Sequence, residues 1–266
     1  MGIFALRQFL GLRAGLSVRQ RLRFLHFLMR VDPTAGRGGM IEFEGRRVEF
    51  TDGLSVAMEY KDIFLHEVYA FPSTGGAPVI LDGGACIGMA ALWFRQRHPA
   101  ARVTCFEPDA QVAGVLRRNL AANGCAGVAV EQVALGEADG TVCFAQEGAD
   151  AGRVADSGAQ AVPMRRLSPF VPAAVDLLKL NIEGQELGVI RELAASGALA
   201  RIRNVTIEYH GWKDGRPCLG PLLLLLEEAG FRYVVHDFDH LTCGTSKPPY
   251  GAGLNANWFC LVVAGR

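Results

Sequence analysis

The amino-acid sequence predicts an α/β fold, a doubly wound and mostly parallel sheet with helices on both faces. Three stretches predict it. In the first, the apolar run Val79-Ile80-Leu81 meets Asp82, then Gly83-Gly84-Ala85-Cys86-Ile87-Gly88, then the apolar Met89 to Phe94. A short apolar run suits a strand buried on both faces, and glycines let the chain turn sharply and let a ligand approach the backbone. In the second, Arg102-Val-Thr-Cys-Phe106 runs into Glu107-Pro108. In the third, Asp176-Leu-Leu-Lys-Leu-Asn-Ile-Glu-Gly-Gln-Glu186 repeats strand, turn and helix start. Such a succession builds a sheet whose ligands lie at the carboxyl ends of the strands.

The composition bounds the rest. A chain of 266 residues suits one large α/β domain with an extension, or two small ones. Lysine plus arginine (27) equals aspartate plus glutamate (27), which argues against a general nucleic-acid binder. The 7 cysteines are scattered, with no Cys-x-x-Cys pair, and read as reduced thiols of a cytoplasmic protein. Cys86 reads as a small packed loop residue rather than a nucleophile.

Taken in order, residues 1–31 carry Arg7, Arg13, Arg19, Arg21, Arg23 and Arg30 among Phe and Leu, with no acid. Gly11, Gly15 and Ser17 divide them into two helical pieces. They cap the domain with arginines in water, or they form a basic amphipathic contact with a membrane surface. No run reaches the roughly 20 apolar residues of a membrane span. Asp32 to Gly39 is linker-like. Ile41-Glu42-Phe43 and Val48-Glu49-Phe50 alternate about Glu44-Gly45-Arg46-Arg47, a hairpin signature. Leu54 to Phe71 is expected as one helix. Residues 1–76 thus form an extension, and the domain proper is 77–266.

Beyond the first strand and helix, Gln111 to Asn123 is a helix ended by Asn123-Gly124. Val128 to Val133 is a third strand, Thr141 to Phe144 a short added one, and Glu147 to Gly158 a surface loop. After the fourth strand come a fifth from Ile202 to Ile207, the leucine-rich helix from Pro221, a sixth strand from Phe231 to Val235, and a last from Asn257 to Val263.

The glycine spacing bears on the ligand. Gly-x-Gly-x-x-Gly does not fit, because the middle position holds Ala85, so a nicotinamide oxidoreductase is disfavoured. The pattern acid-x-Gly-x-x-x-Gly fits Asp82, Gly84 and Gly88, and resembles motif I of class I methyltransferases, which bind S-adenosylmethionine. That cofactor carries a sulfonium and an ammonium but no phosphate, so an acid beside the loop suits it. Glu107, 25 residues beyond Asp82, ends the second strand where an acid accepts from ribose hydroxyls. Pro108 follows it, and Ala134 stands where the adenine ring would lie. Asn181 and Glu183, at the end of the fourth strand, would face cofactor and acceptor.

Leu-Asp-Gly-Gly-Ala-Cys-Ile-Gly, Phe-Glu-Pro, Val-Ala-Leu-Gly and Leu-Lys-Leu-Asn-Ile-Glu-Gly-Gln-Glu, in this order, resemble the FkbM family of methyltransferases. The likeness covers about residue 60 to the C-terminus, with Asp62 and Glu67 in the lead-in segment. It implies a Rossmann-like class I enzyme with an antiparallel last strand, using S-adenosylmethionine on hydroxyls of sugars, glycans or other small molecules. Cofactor contacts would come from Asp82, Gly83, Gly84, Ala85, Cys86, Gly88, Glu107, Pro108, Ala134 and Asn181. Two positions depart from the family: Cys86 stands where Asn is common, and Asn181 where Asp is usual.

A hydroxyl acceptor must also lose a proton, and His210 and Glu183, both near strand ends, are the candidate bases. No metal is expected: His236-Asp237-Phe238-Asp239-His240 lacks a helix to align its histidines. Lys247-Pro248-Pro249-Tyr250 reads as a stiff loop. The alternative to an enzyme is a non-catalytic Rossmann-like binding module, attached to a membrane through residues 1–31.

Overall fold

The computed structural model describes residues 16–31, 38–73, 75–146, 152–155, 160–211, 218–237 and 258–266. The helical piece expected before residue 16, most of the linker, His240 and the segment Lys247 to Tyr250 lie outside the described residues. Helix α1 (Val18–Val31) buries Phe24, Phe27, Leu28 and Val31 on one face. Each such side chain stabilises by about 1.5–3 kcal/mol. Strands β1 (Gly39–Phe43) and β2 (Arg46–Phe50) form the hairpin, with Ile41 opposite Val48. Its turn is shorter than expected: Glu44 and Gly45, at φ 48° and 76°, make it alone, and Arg46 and Arg47 belong to β2. Positive φ at both central residues matches the strand twist of a two-residue hairpin.

Helix α2 (Gly53–Glu59) starts where Asp52 accepts from Ser55 N at 2.7 Å. It does not run to Phe71. It widens into a π-helical turn over Tyr60–Leu65, closed by His66 N donating to Lys61 O at 3.0 Å. This turn buries Tyr60, Lys61, Ile63, Phe64 and Leu65. Phe27 stacks on Tyr60 at 4.2 Å, and Phe43 meets both edge-on. Glu67, at φ 53°, then turns the chain aside.

The main sheet follows in strand–helix order. Its elements are β3 (Val79–Gly83), α3 (Met89–Arg97), β4 (Arg102–Phe106), α4 (Ala110–Ala122) and β5 (Ala129–Glu131). After an excursion through β6 (Ala134–Leu135), β7 (Gly140–Gln146), β8 (Gly152–Ala155) and β9 (Gln160–Arg165), the chain returns as β10 (Val175–Leu180). Then come α5 (Glu186–Ala195), β11 (Ile202–Gly211), α6 (Leu219–Glu228), β12 (Arg232–Asp237) and β13 (Trp258–Gly265). The spatial order is β12-β13-β11-β10-β3-β4-β5. β13 is antiparallel to both neighbours, as expected, while β11, β10, β3, β4 and β5 run parallel.

Two expectations are corrected. The third strand is only Ala129–Glu131, because the chain leaves the sheet to start a second one of order β6-β9-β7-β8. Residues 152–155, expected as loop, are a strand of that sheet, with Val154 opposite Phe144. Their short Gly-Arg-Val-Ala run has little β signal of its own; the partner strand supplies the hydrogen bonds.

The extension shares a core with the sheet. Phe24, Ile41, Val48 and Tyr60 join Ile80, Leu92 and Leu116 in one buried cluster. A second cluster, from Leu81 through Leu178 and Ile207 to Leu226, fills the other face. Asn119 ties the layers, accepting from Glu49 N at 2.7 Å and donating to Glu49 O and Ile87 O, each at 2.9 Å.

Candidate active site

The loop after β3 is shaped by backbone constraints. Gly84 lies at φ 72°, and a Cβ there would stand 1.7 Å from the carbonyl oxygen of Asn181. Only glycine fits so close an approach of two strand ends. Cys86, a side-chain-bearing residue at φ 48°, and Gly88, at φ 95° before α3, complete the turn. Asn181 N donates to Gly83 O at 3.0 Å, so the ends of β3 and β10 are locked together. Ala85 is buried beneath the loop and Pro108 is half-buried beside it. Ala134 is also buried, in β6 next to Leu135, which packs on Gly83.

Glu107 follows β4 and braces this loop. Its Oε2 accepts from Cys86 N at 3.0 Å and its Oε1 from Asp109 N at 2.9 Å. Burial pushes its pKa up to about 7, against the pull of those two backbone donors. Asp109 in turn caps α4, accepting from Gln111 N at 2.7 Å and Val112 N at 3.0 Å.

Asp82 does not reach the surface. It is 0% exposed and faces Lys179 of β10, its register partner. Lys179 Nζ lies 3.0 Å from Asp82 Oδ1, a contact with the distance but not the alignment of a hydrogen bond. The ammonium also donates to Gly84 O at 2.6 Å and Gly83 O at 3.2 Å. Burial alone would lower the Lys179 pKa; the charge of Asp82, then of Glu208, outweighs it and the net shift is upward. Asp82 and Lys179 therefore hold the loop from behind, by charge and carbonyl contacts.

A second layer of polar groups adjoins them. Asn181 Nδ2 donates to Glu208 Oε2 at 2.9 Å, and Tyr69 OH donates to Glu208 Oε1. The Tyr69 ring stands 5.5 Å from Lys179 Nζ. Two residues along β11, His210 sits between carboxylates: Nδ1 donates to Glu186 Oε1 at 3.0 Å, and Nε2 lies 3.4 Å from Glu183 Oε2. Burial would lower its pKa, but Glu183, Glu186 and Glu208 raise it to about 9, so it is a cation at neutral pH. Glu183 sits at φ 56° in the turn after β10. The sequence-derived candidates Gly84, Cys86, Glu107, Asn181, Glu183 and His210 thus gather at the carboxyl ends of four adjacent strands. Among the described residues, no cluster of His, Cys, Asp and Glu has the arrangement of a metal site.

Residues 82–233, more than half of the chain, match the family model for the methyltransferase FkbM domain. The chain belongs to the FkbM methyltransferase family. Methyltransferase sdnD of Sordaria araneosa is 28% identical over 212 residues, covering 65% of this chain and 80% of that protein. Methyltransferase 1 of Beauveria bassiana is 25% identical over 211 residues, covering 68% and 83%. AMB antimetabolite synthetase AmbE of Pseudomonas aeruginosa is 27% identical over 254 residues, covering 73% of this chain and 12% of that protein. Among solved structures, M. jannaschii TYW2 in complex with AdoMet aligns with a TM-score of 0.46 at 12% identity, covering 85% of this chain and 84% of that one.

This FkbM enzyme is therefore an S-adenosylmethionine-dependent methyltransferase, and the residues present fit the cofactor. A buried acid at the end of β4 suits a ribose diol. The carboxylate of Glu208, bonded to Asn181 beside the loop, suits a cationic sulfonium and ammonium rather than a phosphate. Asn181, neutral where an acid is usual in the family, is a hydrogen-bonding spacer between the glycine loop and Glu208. Lys179, Tyr69, Glu186 and Glu208 were missed as site residues. Lys179 left a trace in the sequence, a lone lysine between leucines in a buried strand; Tyr69 left none.

Proposed function

We propose that the enzyme transfers the cofactor's methyl group to a hydroxyl of a small molecule, a sugar or glycan being the favoured class. The supporting observation is the imidazole of His210 held between Glu183 and Glu186 beside the glycine loop. Displacement at a sulfonium needs alignment of acceptor, methyl and sulfur. A hydroxyl must in addition give up its proton as it attacks, whereas a thiolate has none to lose and an amine attacks through its lone pair and sheds a proton afterwards. Glu183 is the group of the pair turned toward solvent, its side chain 22% exposed against 8% for His210. Glu183 receives the proton, and the His210 cation behind it holds the carboxylate in place.

The test is methyl transfer from labelled S-adenosylmethionine to a panel of glycosides, aliphatic alcohols, phenols, amines and short RNAs. Methyl ethers are expected, and Glu183→Gln lowers kcat about 100-fold or more with cofactor binding unchanged. Transfer to nitrogen or to RNA alone, or a Glu183→Gln enzyme with normal kcat, sinks this reading. Cofactor binding with no transfer to any acceptor would favour the binding module instead.

A further inference from the structure

Helix α1 has two faces, and its packing uses only one. Opposite the buried Phe24, Phe27, Leu28 and Val31, the side chains of Val18, Leu22 and Met29 remain 73%, 56% and 53% exposed. With half-buried Leu25 they recur at i, i+4, i+7 and i+11, one apolar stripe along the helix. Met40 of the adjoining β1 is 50% exposed as well. Arg19, Arg23, His26 and Arg30 follow one border of the stripe and Arg21 the other. Some of these are tied: Arg23 lies 3.6 Å from Glu44 and Arg30 Nη1 donates to Glu42 O at 2.6 Å. Arg19, Arg23, His26 and Arg30 are exposed all the same.

The whole-chain charge of zero conceals a division. Residues 1–31 hold 6 arginines and no acid; the remaining 21 basic residues face 27 acids, so the rest of the chain carries a net −6. A stripe of apolar side chains bordered by arginines, on a helix about 21 Å long, has the form of an element that lies in a membrane interface. A second copy fits it less well. An isologous contact through α1 would set the two arginine borders against each other.

We infer that α1 docks the enzyme on an anionic lipid surface, with Val18, Leu22 and Met29 entering the headgroup region and the flanking arginines meeting lipid phosphates. The site's own lead-in segment is attached to this helix. Gln20 Nε2 donates to Leu65 O at 3.3 Å, at the end of the π-helical turn and four residues ahead of Tyr69. Docking through α1 therefore keeps the active site at a fixed height over the lipid.

The experiment is co-sedimentation of the full chain with vesicles of phosphatidylglycerol and phosphatidylcholine, and with phosphatidylcholine alone. Circular dichroism and light scattering are run on the same samples. Binding to the anionic vesicles is expected, weakening as salt rises. Arg19→Gln with Arg23→Gln lowers the partition coefficient roughly 10-fold or more at low salt. Leu22→Gln with Met29→Gln lowers it about 10-fold or more at unchanged melting temperature, since both side chains are exposed in the fold. Absence of binding to anionic vesicles overturns the inference. Binding that the Leu22 and Met29 substitutions leave intact overturns it too, by locating the contact elsewhere, residues 1–15 included. A dimer that these same substitutions dissolve assigns the stripe to a second copy and also overturns it.

Discussion

Two turns leave neighbouring strands at the same edge of the sheet and are built on opposite plans. The turn after β3 is gripped at its backbone amides and carbonyls. Gly84 abuts the Asn181 carbonyl, Lys179 binds the Gly83 and Gly84 carbonyls from behind, and Glu107 takes the Cys86 amide. The turn after β10 is held by side-chain charge: Glu183 and Glu186 face His210, and Glu186 Oε1 also accepts from Gly184 N at 3.0 Å. The first suits a ligand that never varies, the cofactor. The second sets ionisable side chains against one another, which suits the proton removal proposed for it.

The comparison breaks most sharply at Gly84. In Gly84→Ala the new methyl meets a carbonyl at 1.7 Å in a strand end with no room to shift. A loss beyond about 4–5 kcal/mol is expected, seen as failure of soluble expression or loss of the cooperative melt. An alanine protein that melts normally and binds cofactor would show that the loop is slack.

Next is the pair behind the loop. Lys179→Met strands the Asp82 carboxylate in the core, at a cost of about 3–5 kcal/mol in urea unfolding. Adding Asp82→Asn removes the unpaired charge and should recover part of that loss, a coupling a double-mutant cycle measures. Additive losses would mean that the two residues act separately.

The smallest effects are pH-dependent, and here the turns differ in window rather than in sign. Glu107 is raised from 4.5 to about 7 and His210 from 6.5 to about 9. A group whose pKa is raised on folding contributes stability below its unfolded value that is lost as pH rises through the folded one. The Glu107 contribution is therefore lost between about pH 4.5 and 7, and that of His210 between about 6.5 and 9, each by roughly 3 kcal/mol at most. Urea unfolding measured from pH 5 to 9.5 should show both declines. Glu107→Gln should flatten the lower one and His210→Gln the upper one. An upper decline that persists in His210→Gln would remove the charge account of the second turn.

The sequence by itself determined the strands of the main sheet, the glycine loop and the acid after β4. These are local: apolar runs, glycine where φ is positive, and an acid at a set distance all sit within a few tens of residues. Its motifs also carried the family resemblance, and the resemblance implied the antiparallel last strand. Only the tertiary structure decided that Asp82 turns inward to Lys179 rather than outward, because a strand's two faces are equivalent until the layers are packed. It decided that His210 is a cation, since two of the three carboxylates that charge it, Glu186 and Glu183, lie 24 and 27 residues away in sequence. It brought Tyr69 to Glu208 across 139 residues, a contact no local pattern encodes. It also ended the lead-in helix in a π-helical turn and made a strand of 152–155, where packing and a partner strand outweighed propensity. Local chemistry thus selects the elements, and the dielectric and neighbours inside the fold select what their polar groups do.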